Sequence, residues 1–175
     1  KGIGFLYIRK GVNIHPIMHG GGQEKKIRSG TENISGIVAL GKAVELAGKR
    51  MKDMSNIKRF QVKLINELLK IKGTRLNGSR EKRIFNNVNI SFDDAEGEAI
   101  VLLLDEKGIC CSTGSACSSN SLKPSAVLKA IGLGDVEAHG SLRISLGWQN
   151  TDKEINYAIK EIKKAVENLR RIYGK

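Results

Sequence analysis

Long apolar runs are missing from this sequence: no stretch approaches the roughly 18 to 20 residues that a membrane-spanning helix needs. That excludes a helical membrane anchor within the 175 residues, and no targeting segment is visible. Cysteine is scarce as well. Three residues, Cys110, Cys111 and Cys117, two of them adjacent, make no disulfide framework and fit a reducing, cytoplasmic setting. Aromatic residues amount to 5% and acidic residues are outnumbered 18 to 30 by lysine and arginine, leaving a net charge of +12. Such a balance invites nucleic acid, because clustered cations gain from counterion release. Here the cations are dispersed. In KRMKDMSNIKRFQVKLINELLKIK they alternate with acids and apolar residues at helical spacing, the pattern of a solvated helix face. No nucleic-acid partner is expected. A basic binding module would betray itself by binding that falls steeply with salt.

What is present is an ordinary globular mixture, 40% apolar and 27% charged. The opening KGIGFLYIRK reads as a strand entered without cap or arm, so the chain is expected to start within a longer protein. Ile3 to Ile8 predicts a short buried strand, followed to about Ser35 by an irregular segment holding Pro16 and Gly20 to Gly22. Long ordered loops of this kind usually build sites. Apolar spacing from Ile37 through Leu40, Val44, Ala47, Met51 and Met54 to Ile71 predicts one long, bent helix. Asn87 to Phe92 predicts a strand, with Asp93 or Asp94 capping a helix from about Ala95 to Glu106. Ile109 to Ser112 reads as a strand, Ser112 to Ser121 as a loop, and Pro124 as the opening of a helix to Ile131. Leu142 to Leu146 reads as a strand. Thr151 and Glu154 form a capping box before a final helix striped by Ile155, Ile159, Ile162, Val166 and Leu169. The alternation indicates an α/β or α+β domain.

Three places could carry chemistry. Cys117 lies in STGSACSSNS among small, mostly polar neighbours, so its sulfur is a candidate nucleophile, unless the loop is simply a surface turn. Cys110 and Cys111 would point to opposite faces of a strand. A metal site built from the three cysteines needs a fourth ligand such as His139, and the spacing matches no usual zinc pattern; no metal is expected. HGGGQEKKIRSGT, His19 to Thr31, combines four glycines with basic and hydroxyl groups, which suits a backbone wrapped round an anion, with Arg28 and Thr31 as ligands for a carboxylate or phosphate. A glycine-rich crossover is the plainer reading. Arg143 stands in the apolar strand SLRISLG, where a guanidinium needs either an acidic partner or a ligand.

KGIGFLYIRKG, HGGGQEKKIRSGTEN, NNVNISF, EGEAIVLLLDEKGI, STGSACSS and AHGSLRISLGWQNT occur in the order found in NifS-like cysteine desulfurases. The sequence resembles, over nearly its whole length, the C-terminal portion of these class V aminotransferase-like, fold-type-I enzymes that depend on pyridoxal phosphate. The resemblance implies an α/β fold in which residues 1–36 are a remnant of the large cofactor domain with a glycine-rich interface segment. Residues 37–175 would be the small domain, with the cysteine loop at 112–121. It implies removal of sulfur from L-cysteine to give L-alanine and a persulfide on Cys117, with Arg143 holding the substrate carboxylate. Thr31 corresponds to a residue that reaches the cofactor phosphate of the partner subunit in a homodimer, and Arg28 and His19 are possible supporting residues. Iron–sulfur scaffold proteins or tRNA-thiolation enzymes are the implied sulfur acceptors. The family's Schiff-base lysine belongs to a Ser-x-His-Lys motif that these 175 residues do not contain, so the chain alone is expected not to anchor the cofactor. A truncated, non-catalytic paralogue that accepts sulfur or binds a scaffold, and a selenocysteine lyase or other class V enzyme, are the competing readings.

Overall fold

The computed structural model describes residues 2–51, 54–114 and 124–173. It divides into two units, Lys1–Asp53 and Met54–Lys175.

Alternation builds the second unit. In strand β2, Asn87–Phe92, every second residue (Val88, Ile90, Phe92) is buried on one face. It pairs antiparallel with β1, Thr74–Leu76, on one side and β3, Ser141–Ser145, on the other, in the order β1–β2–β3. The register matches Leu76 to Ile90, Ile90 to Leu142 and Val88 to Ile144, so the apolar positions of all three strands share that face. Helices α2 (Ser55–Leu68), α3 (Gly97–Asp105) and α6 (Asp152–Tyr173) supply the other half of the core through Leu64, Leu68, Ile100, Leu104, Ile162 and Val166. Full burial of such side chains stabilises by about 1.5–3 kcal/mol each before conformational entropy is charged against it. The predicted stripe of α6 is buried at Ile155, Ile159, Ile162, Val166 and Leu169. Its capping box is formed too: Glu154 N–H donates to Thr151 Oγ1 at 3.3 Å, and Thr151 N–H donates to Glu154 Oε2 at 2.8 Å. Two short helices, α4 (Ala126–Ala130) and α5 (Asp135–His139), enclose a satellite cluster of Leu128, Leu133 and Ala138.

In the first unit a single turn at Glu24–Lys26 precedes helix α1, Ile34–Arg50. The three turn residues have φ of 48°, 56° and 66°, the left-handed region, which costs an L-residue roughly 1–2 kcal/mol. Asn33 caps α1 by accepting from Gly36 N–H at 3.0 Å.

Four expectations need correction. Ile3 to Ile8 is not a buried strand: it joins no ladder, and Phe5, Leu6 and Tyr7 are 78%, 71% and 79% exposed, because a strand forms only against a neighbouring edge. The single helix expected from Ile37 to Ile71 is two helices in different units, with the chain leaving helical geometry by Met54 (φ −103°, ψ 8°) before α2. Neither Asp93 nor Asp94 caps α3. Asp93 N–H extends the ladder to Gly73 O at 2.8 Å and Asp94 takes φ 56°, so the helix starts later, after Glu96. Ile109 to Ser112 is reduced to one bridge, Ser112 with Arg143.

Candidate functional site

The second face of the sheet is polar. Arg75, Asn77, Asn87, Asn89, Ser91, Ser141, Arg143 and Ser145 occupy the positions that alternate with the core. Arg143 sits at the middle of β3, half-buried, and its guanidinium has no hydrogen-bond or ion-pair partner among the described residues. The acidic partner that a structural arginine would need is not supplied there. Arg75, by contrast, pairs with Glu137 at 2.8 Å. The Glu137 carboxyl is held below its usual range by the Gly134 N–H and by that guanidinium.

Arg143 exchanges both backbone bonds with Ser112: its N–H donates to Ser112 O at 2.6 Å, and Ser112 N–H donates to Arg143 O at 3.1 Å. Two residues on, Gly114 is wedged where a Cβ would lie 2.8 Å from Leu128 Cδ1, 2.9 Å from Ser141 Oγ and 3.2 Å from Ser125 Cβ. The chain leaving Gly114 and the chain returning at Ser125 are thus pinned together beside the start of β3. Cys117, the expected nucleophile, lies outside the described residues, as does most of its loop.

The other two cysteines face apart, as strand-like backbone requires. Cys110 is exposed, whereas Cys111 packs half-buried against the core, and burial, aided by Cys110 and Asp105, pushes its thiol up to about 11. Cys111 is therefore a protonated packing group near neutral pH. Among the described residues no three His, Cys, Asp or Glu side chains gather as a metal set, and His139 ends α5 in the open.

In the first unit, residues 18–30 close on themselves. Ser29, the buried member, donates from Oγ to Met18 O at 3.1 Å, Gly30 N–H donates to Gln23 Oε1 at 3.2 Å, and Arg28 donates to Ser29 O at 2.8 Å. Gly20 and Gly30, at φ 153° and 111°, make this folding possible. The loop presents His19, Arg28 and Thr31 on its outside, all exposed, with Thr31 two residues before the α1 cap. The Thr31 hydroxyl makes no hydrogen bond to a described residue. His19, Arg28 and Thr31 thus share one loop, while Arg143 belongs to the other unit.

Sequence reading missed Asn89 and Ser112, which flank Arg143 on either side. The signal was available in the alternation of Asn87, Asn89 and Ser91 against Ser141, Arg143 and Ser145, once the two strands are paired.

The model of the aminotransferase class-V family matches residues 1–157. The chain belongs to that family. Among curated class-V relatives it is 50% identical to the cysteine desulfurase IscS of Methanosarcina thermophila over 171 residues, 97% of this chain and 42% of that protein. It is 48% identical to the cysteine desulfurase IscS 1 of Archaeoglobus fulgidus, again over 97% of this chain and 45% of the relative. A solved NifS-like protein superposes with a TM-score of 0.81 at 34% identity, covering 93% of this chain and 41% of that one. The chain therefore spans less than half the length of the class-V proteins it matches, and its α/β architecture is that of NifS-like enzymes. No helix among the described residues is long and apolar enough to cross a membrane.

Proposed function

We propose that this chain is part of a cytoplasmic cysteine desulfurase that takes sulfur from L-cysteine, leaving L-alanine and a persulfide on Cys117. The observation that carries the reading is Arg143: a half-buried guanidinium in β3 with no partner among the described residues, its backbone bridged to Ser112 at the root of the cysteine loop. A planar, permanently charged fork in a partly desolvated place is suited to a substrate carboxylate, which it can grip bidentately. Cys117 follows Ser112 by five residues in the sequence. Its thiolate attacks the substrate sulfur. A sulfur–sulfur bond forms, the carbon–sulfur bond breaks, and the carbon left with the electron pair takes up a proton to become the methyl group of alanine.

Class-V membership implies pyridoxal phosphate, which when bound supplies the electron sink for this cleavage. The residues present fit its phosphate: the Thr31 hydroxyl, which bonds to no described residue, lies just ahead of a 17-residue helix whose first turn carries no acid. We assign Thr31 to the cofactor phosphate of a partner subunit, Arg28 and His19 to supporting places in the same loop, and residues 1–36 to the large cofactor domain. Helix α1 has no buried residue, and Ile34, Ile37, Val38 and Val44 are exposed along it, which supports coverage by other protein as in a homodimer. Iron–sulfur scaffolds or other sulfur-acceptor proteins are the proposed recipients.

The test is Cys117→Ala in the complete protein. With a thiol reductant present to release the persulfide's outer sulfur as sulfide, formation of alanine and sulfide from L-cysteine is expected to be abolished, and sulfide production at the parent rate would show the nucleophile to be misassigned.

A further inference from the structure

A groove of about 350 Å³ lies between the end of α3 and the middle of α6, at the lower end of the volumes that hold small molecules. Its apolar lining is Ala165, 5% exposed, and half-buried Leu103. Around these stand four charged groups, Glu106 and Lys107 from the end of α3 and Glu161 and Lys164 from α6. Two carboxylates meet two ammonium groups, so the lining is electrically balanced and a bare anion or cation finds as much repulsion as attraction. No His, Cys, Asp or Glu joins the two acids in a metal set among the described residues. The two halves of the lining differ in how far they are satisfied. Glu161, with its side chain 9% exposed, accepts from Lys164 Nζ on Oε1 at 3.0 Å, and no described residue donates to its Oε2. A buried carboxylate answered by one ammonium that is itself 54% exposed keeps room for a second donor. Glu106 and Lys107 are exposed, and their side chains pair neither with each other nor with any described residue. Their backbone is nonetheless fixed: Glu106 N–H donates to Leu102 O at 3.2 Å, Lys107 N–H to Leu104 O at 2.9 Å, and Tyr157 of α6 donates from its hydroxyl to Lys107 O at 3.4 Å.

Helix α3 also ends against its own dipole. Asp105 and Glu106 stand at its partly negative carbonyl end, and its last turn carries no base. An ammonium group entering the groove would meet Glu106, Glu161 and that helix end together, and a carboxylate on the same molecule would meet Lys107. We propose that this groove binds a small α-amino acid in its zwitterionic form, the ammonium toward Glu106 and Glu161 and the carboxylate toward Lys107. A neutral molecule carrying both charges a few ångströms apart is what a balanced lining with one unpaired anion and one unpaired cation complements, and the narrow apolar strip of Ala165 and Leu103 admits a short side chain. Helices α3 and α6 cover the apolar face of the sheet, so the groove lies on the opposite side of the sheet from the Arg143 guanidinium. The inference does not depend on the desulfurase reading.

The experiment titrates the complete protein with L-alanine and follows the methyl resonances of Leu103 and Ala165 by nuclear magnetic resonance. Both are expected to shift and to saturate together. Propionate, which lacks the ammonium, and ethylamine, which lacks the carboxylate, are expected to bind roughly tenfold or more weakly, the loss of a hydrogen bond between charged groups. Glu106→Gln and Lys107→Gln, both at exposed positions that the core does not use, are each expected to weaken L-alanine by a similar factor. Arg143→Ala is expected to leave the two shifts and their midpoint unchanged, which separates the groove from binding at the other face of the sheet. Leu103 and Ala165 resonances that stay still throughout the titration overturn the inference. So does propionate or ethylamine binding as tightly as L-alanine, unchanged affinity in both groove variants, or loss of the shifts in Arg143→Ala, which would assign them to the polar face instead.

Discussion

Replacing Gly97 and Gly41 by alanine should move stability in opposite directions, because the space around them differs. A Cβ on Gly97, the first residue of α3, would lie 2.4 Å from Ser141 O and 2.8 Å from His139 O. Both are backbone atoms. They belong to β3 and the end of α5, so neither can swing aside as the tip of a side chain does. Gly97 has no positive φ, so the conflict is steric alone. Overpacking of this kind costs about 1–3 kcal/mol, and a contact against rigid backbone belongs at the upper end. Alanine recovers up to about 1 kcal/mol of helix propensity, less at the first position than inside the helix. A net loss of about 2 kcal/mol follows. At Gly41, inside α1, a Cβ would meet nothing within 4 Å, and only the propensity gain of up to about 1 kcal/mol remains.

The assay is urea unfolding followed by far-ultraviolet circular dichroism. With a slope of about 2 kcal/mol per molar urea, Gly97→Ala should lower the midpoint by about 1 M, and Gly41→Ala should raise it or leave it unchanged. Since Ser141 begins the strand that carries Arg143, the Gly97 variant of the complete protein should also show a raised KM for L-cysteine. A Gly97→Ala midpoint at or above the parent value would refute the reasoning, because it would mean that β3 yields freely at the point held to position the site.

Arg143→Ala in the complete protein should raise the KM for L-cysteine roughly tenfold or more, with Arg143→Lys recovering part of the loss, since an ammonium replaces the charge without the fork; steady-state kinetics separating KM from kcat checks this. Cys111, with its thiol pushed up to about 11, should resist iodoacetamide at pH 7.5 while exposed Cys110 reacts, read by peptide mass mapping. The raised value also fixes a sign. The folded state prefers the neutral thiol, so this contribution is complete below the unfolded value of about 8.5 and is lost as pH rises toward the folded value. Urea midpoints should fall between those pH values, and by less in Cys111→Ala.

Much of the second unit was legible because its signals were long or paired. Strand β2 coincides with the predicted Asn87 to Phe92, and α6 announced itself by a capping box and five buried residues in one stripe. Strand β1 and helix α5, of three and five residues, are too short for periodicity to register. The apolar character of Phe5, Leu6 and Tyr7 was read as burial, yet apolarity states only that a surface seeks a partner, and no described residue covers them. For the site, Arg143 stood out because a guanidinium is out of place among apolar strand residues. Ser112 did not, because its bridge to Arg143 shows only once the two segments are brought side by side.

Register is what joins the core to the site. Side chains alternate with a period of two, so sliding β3 by one residue against β2 would carry Arg143 into the space now filled by Leu142 and Ile144 and set an apolar side chain beside Asn89. The cost of burying that guanidinium without a partner is several kcal/mol, added to the lost packing of Val88, Ile90 and Leu142, all fully buried. The apolar face thus specifies, more strongly than any contact within the site, which polar groups meet on the other. Stability and affinity for L-cysteine should for this reason fall together in variants that loosen β3, and separately in variants that alter only Arg143.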